Sequence, residues 1–139
     1  MVVLDASVWV ASLVDDEPRH LESRRWLRDW MSGGSGLVVP QVFLVEVGSA
    51  ISRRRKSAGD GEGAVVRIRR EPLIEVRHVS RANWERATVL ASRLQMRTGD
   101  VLYVTLAEEL GMPLVTWDQE ILDRAAAIVD VRTPDQVPI

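Results

Sequence analysis

Four acidic residues are spaced so that a folded chain could bring their carboxylates together: Asp5, Glu46, Asp100 and Asp118. Converging carboxylates repel one another and burial raises their pKa values, so such a cluster needs a compensating charge. A divalent cation is the simplest one. The chain has no cysteine and only His20 and His78, so the available ligands are oxygens, which favour Mg²⁺ or Mn²⁺ over zinc. A cation of that kind activates water and stabilises charge developing on a phosphoryl group.

Each acid also has a plain structural reading. Asp5 can serve as a turn acid, Asp100 as a carboxylate favoured by the positive end of a helix dipole, and Asp118 as a helix N-cap. Glu46 can be a Glu on a helix surface, although Val45 and Val47 flank it and Gly48 and Ala50 follow closely. Convergence is what separates these readings from a site.

The elements that must do the positioning follow from the pattern. The apolar run over residues 2–4 reads as a strand buried on both faces, and Ser7 can cap the short apolar stretch after it. A connection at DDEP precedes a helix over residues 19–31 whose inner side carries Leu21, Trp26, Leu27 and Trp30. SGGSG stops it, and LVV forms a second strand closed by Pro40. A helix over residues 41–57 places Val42, Val45 and Ser49 at helical spacing, AGDGEG breaks it, and residues 64–70 form a short helical piece.

A third strand over residues 73–79 leads to Ser80, which caps a helix to residue 95 with Trp84, Ala87, Thr88 and Ala91 on one side. Thr98 caps the next helix, which stops at Gly111. Residues 113–116, 118–126 and 128–131 complete the pattern as strand, helix and strand. Alternating strands and helices imply a parallel sheet of about five strands covered on both faces, joined by right-handed crossovers. In such sheets, sites form beyond the carboxyl ends of the strands where strand order reverses. Asp5 and Asp118 both lie just past such ends.

With 139 residues, 46% hydrophobic and 27% charged, residues 1–139 fit one packed domain, and nine Gly and six Pro are too few for disorder. The absence of cysteine excludes a disulfide framework, a thiolate zinc site and a cysteine nucleophile. No apolar run is long enough to span a bilayer and the start does not read as a signal peptide, so a soluble cytoplasmic protein is expected. A net charge of −2 provides no global basic field, but a local patch or a bound cation can outweigh it.

Taken together, VVLDASVWVASL with DEPRH behind it, VPQVFLVEVGSAISR, and TGDVLYVTLAEELGMPLVTWDQEIL resemble the PIN-domain nucleases, and within them the VapC-like toxins of toxin–antitoxin pairs. The resemblance covers nearly the whole chain, and the last segment is its most specific part. It implies a three-layer α/β/α fold whose acidic pocket binds Mg²⁺ or Mn²⁺ and cleaves single-stranded regions of RNA. The family's acids fall on Asp5, Glu46, Asp100 and Asp118, with Asp5, Asp100 and Asp118 as metal ligands. Glu46 is then a ligand through water or a base for the nucleophile, and one metal or two are both compatible. The family's small hydroxyl positions match Ser7 and Thr116, which would orient a carboxylate or a water. The chain departs from the family at Gly99, at Val101 where Ala commonly follows the helix acid, and at bulky Trp117 inside Thr-x-Asp. These leave the acids intact and bear on the pocket's shape. The resemblance also implies a homodimer and a small antitoxin that covers the active-site groove.

RRRK at the end of the Glu46 helix complements the helix dipole, or lets Arg53 and Arg54 hold RNA phosphates. Trp26, Trp30 and Trp84 sit at core spacing, while Trp9 and Trp117 lie near the pocket, where a base could stack on Trp117. Competing readings are a non-catalytic PIN-fold binding module and a DNA-directed nuclease of the same superfamily. A phosphorylation-controlled receiver module would need an adjacent acidic pair and a late-strand Lys. Here Ala6 follows Asp5, and the sole lysine, Lys56, lies in a helix tail.

Overall fold

The computed structural model describes residues 1–139. The chain runs β1 (Val2–Leu4), α1 (Ala6–Leu13), α2 (His20–Ser32), β2 (Leu37–Pro40), α3 (Gln41–Arg55), α4 (Ala58–Arg70) and β3 (Ile74–Arg77). It continues as α5 (Arg81–Leu94), α6 (Thr98–Leu110), β4 (Leu114–Val115), α7 (Gln119–Ala125) and β5 (Val131–Arg132), with a 3₁₀ turn at Pro134–Gln136.

The five strands form one parallel sheet in the order β3-β2-β1-β4-β5. Apolar runs as short as VVL and LVV hold this sheet because β1 and β2 are buried throughout. The edge strand β3 alternates half-buried and exposed residues instead. With right-handed crossovers, α1 to α4 cover one face and α5 to α7 the other, giving three layers. Strand order reverses at β1: β2 lies on one side of it and β4 on the other, so a crevice opens beyond the ends of β1 and β4.

Register places the site's backbone there. Leu4 pairs with Val115, Asp5 N–H donates to Val115 O at 3.0 Å, and Thr116 N–H donates to Arg132 O at 3.0 Å. Asp5 and Thr116 thus leave the sheet side by side. Below them, the core fills with Leu4, Val38, Phe43, Val104 and Tyr103, while Trp26 and Trp30 stack with ring centroids 5.2 Å apart.

Several local expectations change. AGDGEG does not break a helix; it begins α4, because Ser57 Oγ accepts the Asp60 N–H at 3.1 Å and caps the first turn. The glycines there permit close helix packing: a Cβ on Gly61 would lie 2.6 Å from the Gly48 carbonyl oxygen on α3. The inner face of α3 is Phe43, Leu44, Val47 and Ile51, leaving Val45 69% exposed. Leu21 on α2 is 75% exposed, since the buried stripe runs through His20, Ser23, Trp26, Leu27 and Trp30.

On α5 the buried positions are Ala87 and Leu90, and Trp84 stands 49% exposed on the helix's outer side. Arg97, not Thr98, occupies the N-cap of α6, with no side-chain cap. Likewise Asp5 holds the N-cap of α1, and Ser7 lies within the helix. Finally, β5 begins at Val131, because Ile128 and Val129 turn back to bond the Ala125 carbonyl. No helix is long and apolar enough to cross a membrane.

Candidate functional site

Asp5 is 5% exposed, held between β1 and α1. Its Oδ2 accepts hydrogen bonds from Ser7 Oγ at 2.5 Å and Thr116 Oγ1 at 2.7 Å. Both bonds fall on one oxygen, so Oδ1 takes no side-chain hydrogen bond. Ser7 Oγ also accepts the Trp117 N–H at 3.1 Å, and Thr116 Oγ1 accepts the Asp118 N–H at 2.9 Å. Two hydroxyls therefore lock the β1 end to the β4–α7 turn.

That turn presents Asp118 as the N-cap of α7. Its Oδ1 accepts the Glu120 and Ile121 N–H groups at 2.8 and 3.3 Å, and Oδ2 carries no hydrogen bond. The capping reading and the site reading of Asp118 use different oxygens. Asp100, in the first turn of α6, makes no side-chain hydrogen bond and is half-buried. Glu46 comes from α3, and its Oε2 accepts a hydrogen bond from the Tyr103 hydroxyl at 2.6 Å. Residues from both helical layers meet here at the sheet's edge.

The carboxylates feel one another. Burial, then the charge of Asp118, pushes the Asp5 carboxyl up against the lowering effect of its two hydroxyl donors. Burial raises Glu46, with Asp5 and Asp100 adding to it and the Tyr103 hydrogen bond opposing it. Asp100 is pushed up to about 6 by burial and by Asp118 and Asp5, with only Arg97 opposing among cations. The Tyr103 hydroxyl is raised by burial and by the charges of Asp5 and Glu46, so it stays a proton donor.

No three of these side chains stand close enough together to cage an ion by themselves. The donor set still fits a hard divalent cation, because Mg²⁺ keeps several waters and is bound through one or two carboxylates rather than an all-protein cage. Free oxygens on Asp5, Asp100 and Asp118, in a mutually repelling cluster short of cations, are suited to that kind of binding.

The surrounding basic and aromatic residues divide. Arg54 pairs with Asp16 and Glu17, tying α3 to the α1–α2 connection, and Arg55 donates to Leu13 O at 3.1 Å, tying it to the end of α1. Arg53 bonds only Ser49 O of its own helix and lines an open groove of about 390 Å³ with Ser7, Val10 and Glu46. The Trp117 indole N–H donates to Ser23 Oγ at 2.8 Å, and the Arg19 guanidinium lies 4.8 Å over its ring. Trp9 packs edge-on against Phe43, and its Nε1 is buried without a hydrogen-bond partner.

Sequence reasoning passed over Tyr103, the chain's one tyrosine, three residues after Asp100 in the apolar stretch of α6. Its spacing from Asp100 was the available signal, since residues three apart share a helix face.

Residues 2–128 match the family model described as the PIN domain. Among solved structures, the chain is similar to VapC20 of Mycobacterium tuberculosis, a sarcin-ricin loop cleaving toxin, at 22% identity and a TM-score of 0.78, covering 95% of this chain and 99% of that one. It is also similar to a toxin–antitoxin complex from Klebsiella pneumoniae, at 15% identity and a TM-score of 0.69, covering 99% and 100%. FitAcB from Neisseria gonorrhoeae matches at 15% identity and a TM-score of 0.71, again covering 99% and 100%. At these identities the likeness is one of fold. No curated protein matches the chain significantly.

Proposed function

We propose that this chain, which belongs to the PIN-domain family, is a divalent-metal-dependent endoribonuclease acting as the toxin of a toxin–antitoxin pair. The observation that carries the reading is the carboxylate cluster at the strand-order reversal, with Asp5 fixed by two hydroxyls and one oxygen left free. The supporting likeness is to a toxin described as cleaving the sarcin-ricin loop and to proteins solved as toxin–antitoxin complexes.

Asp5, Asp100 and Asp118 would hold Mg²⁺ or Mn²⁺, one or two of them directly and the rest through its waters, and Ser7 and Thr116 keep Asp5 in its orientation. Bound there, the cation supplies Lewis-acid stabilisation of charge developing on the phosphoryl oxygens. Glu46, its proton affinity raised by burial, is placed to take the proton from the attacking water or to hold that water in line. The phosphorus–O3′ bond breaks as the new phosphorus–oxygen bond forms, leaving a 3′ hydroxyl and a 5′ phosphate. Arg53, free of ion pairs at the groove, would hold a flanking phosphate. A homodimer in the cytoplasm, silenced by a small antitoxin, completes the proposal.

The test is incubation of purified protein with RNA and with DNA of the same sequence, in Mg²⁺, in Mn²⁺ and in EDTA. RNA cleavage that needs metal and falls about 100-fold or more in Asp5→Asn is the expected result. Cleavage persisting in EDTA or in Asp5→Asn removes the reading. Preferential cutting of DNA points to the DNA-directed alternative, and RNA binding without cutting to a binding module.

A further inference from the structure

Gly99, a departure from the family pattern, and Tyr103 converge on Glu46. Tyr103 is 0% exposed, and its hydroxyl reaches from α6 to Glu46 Oε2 on α3 at 2.6 Å. Gly99, one turn earlier on α6, faces the other carboxylate oxygen: a Cβ there would fall well inside contact distance of Glu46 Oε1. One Glu46 oxygen thus accepts the Tyr103 hydroxyl, and the other occupies space that a side chain at position 99 would take.

We propose that Tyr103 and Gly99 are positioning residues that set the carboxylate orientation of Glu46 and through it the affinity of the site for a divalent cation; this rests on the metal-dependent reading above. A Glu side chain has three rotatable bonds, and its neighbours Val45 and Ser49 are exposed, so α3 alone leaves the carboxylate free to swing toward solvent. The Tyr103 bond prevents this. The hydroxyl also leaves Glu46 an acceptor facing Asp5 and Asp100, whose charges it senses. Gly99 leaves Oε1 its place, because a Cβ there would displace it and turn the carboxylate that the Tyr103 hydroxyl meets. The absence of a side chain at 99 is therefore matched to the presence of a hydroxyl at 103.

Tyr103→Phe removes the hydroxyl and keeps the core shape, and Gly99→Ala reaches Glu46 from the opposite side. Mn²⁺ binding by titration calorimetry, RNA cleavage and metal-free melting would be measured for each, alone and combined with Glu46→Ala. Expected are Mn²⁺ affinities about 10-fold weaker, a lower kcat with unchanged KM, and no further loss when Glu46 is already Ala. In EDTA, Tyr103→Phe should lower the melting temperature in the wild-type background and not beside Glu46→Ala. Losses that multiply with Glu46→Ala, or both single variants binding Mn²⁺ as the wild type does, overturn the proposal. Wild-type protein that binds Mn²⁺ without cutting RNA overturns the reaction proposed above and leaves the binding comparison to decide this one. If the wild type binds no Mn²⁺, the cation part falls, and the melting cycle decides whether Tyr103 acts through Glu46.

Discussion

Thr116 donates its hydroxyl hydrogen to Asp5 Oδ2 at 2.7 Å while its oxygen accepts the Asp118 N–H at 2.9 Å. One fully buried hydroxyl therefore couples the carboxylate at the end of β1 to the turn that aims Asp118.

Thr116→Val keeps the volume and removes both bonds. It leaves the Asp118 N–H donor without its partner and Asp5 Oδ2 with one hydroxyl donor instead of two, at a cost of about 1–3 kcal/mol in urea unfolding, and lowers RNA cleavage about 10- to 100-fold. Thr116→Ser should restore most of both. Equal activity in the Val and Thr proteins would show that the hydroxyl does not support the site.

The acids make the metal-free protein sensitive to pH in a defined direction. Burial, with Asp118 and Asp5, pushes the folded Asp100 carboxyl up to about 6 from an ordinary 3.8, so the folded state binds its proton more tightly than the unfolded state. Its contribution is full below the ordinary value and is lost as pH rises through about 6. Because Asp100 is half-exposed, solvent screening limits the loss to about 1 kcal/mol. In EDTA, the wild-type urea midpoint should fall more than that of Asp100→Asn between about pH 4 and pH 7. Saturating Mg²⁺ should shrink the difference, and a midpoint falling equally in both proteins would contradict the assignment.

Arg53 and Arg54 should differ despite being adjacent. Arg54 is neutralised by Asp16 and Glu17, whereas Arg53 borders the groove beside Glu46. Arg53→Ala should raise KM for RNA and reduce the slope of log affinity against log salt by about 0.7. Arg54→Ala should leave that slope unchanged. The reverse result would move the phosphate contact to the α1–α2 side.

Helix packing supplies a control away from the acids. Gly61→Ala would place a Cβ 2.6 Å from the Gly48 carbonyl and 2.8 Å from Ser52 Cβ, both on α3. Overpacking of this kind costs about 1–3 kcal/mol. A Cβ at Gly63 meets nothing within 4 Å, so Gly63→Ala should stabilise α4 by about 0.5–1 kcal/mol. Chemical denaturation of the two variants would separate these signs.

Strands β1, β2 and β4 were legible as short apolar runs bounded by turn residues and β3 by its alternation, whereas β5 lies later than its apolar run suggested; Asp5 and Asp118 stood out because each follows an apolar run. The helices' inner faces were harder to read. Val45 and Trp84 are as apolar as their buried neighbours, and only packing decides that Phe43 and Ala87 face inward instead. AGDGEG resembles a loop in isolation; its helix depends on the surface of α3, which no local window contains. Tyr103 escaped notice for a related reason: its partner Glu46 lies 57 residues earlier in the chain.

The four carboxylates enter at positions 5, 46, 100 and 118 of a 139-residue chain. The first two belong to one helical layer, Asp5 at the start of α1 and Glu46 on α3, and the last two to the other, Asp100 on α6 and Asp118 capping α7, so neither layer contains the whole site. Under the proposed activity, a ribosome therefore carries an inert product until translation has passed Asp118 and both layers have docked. The cell making such an enzyme is then protected from it for most of each round of synthesis, and chains terminated before Asp118 are harmless to its RNA.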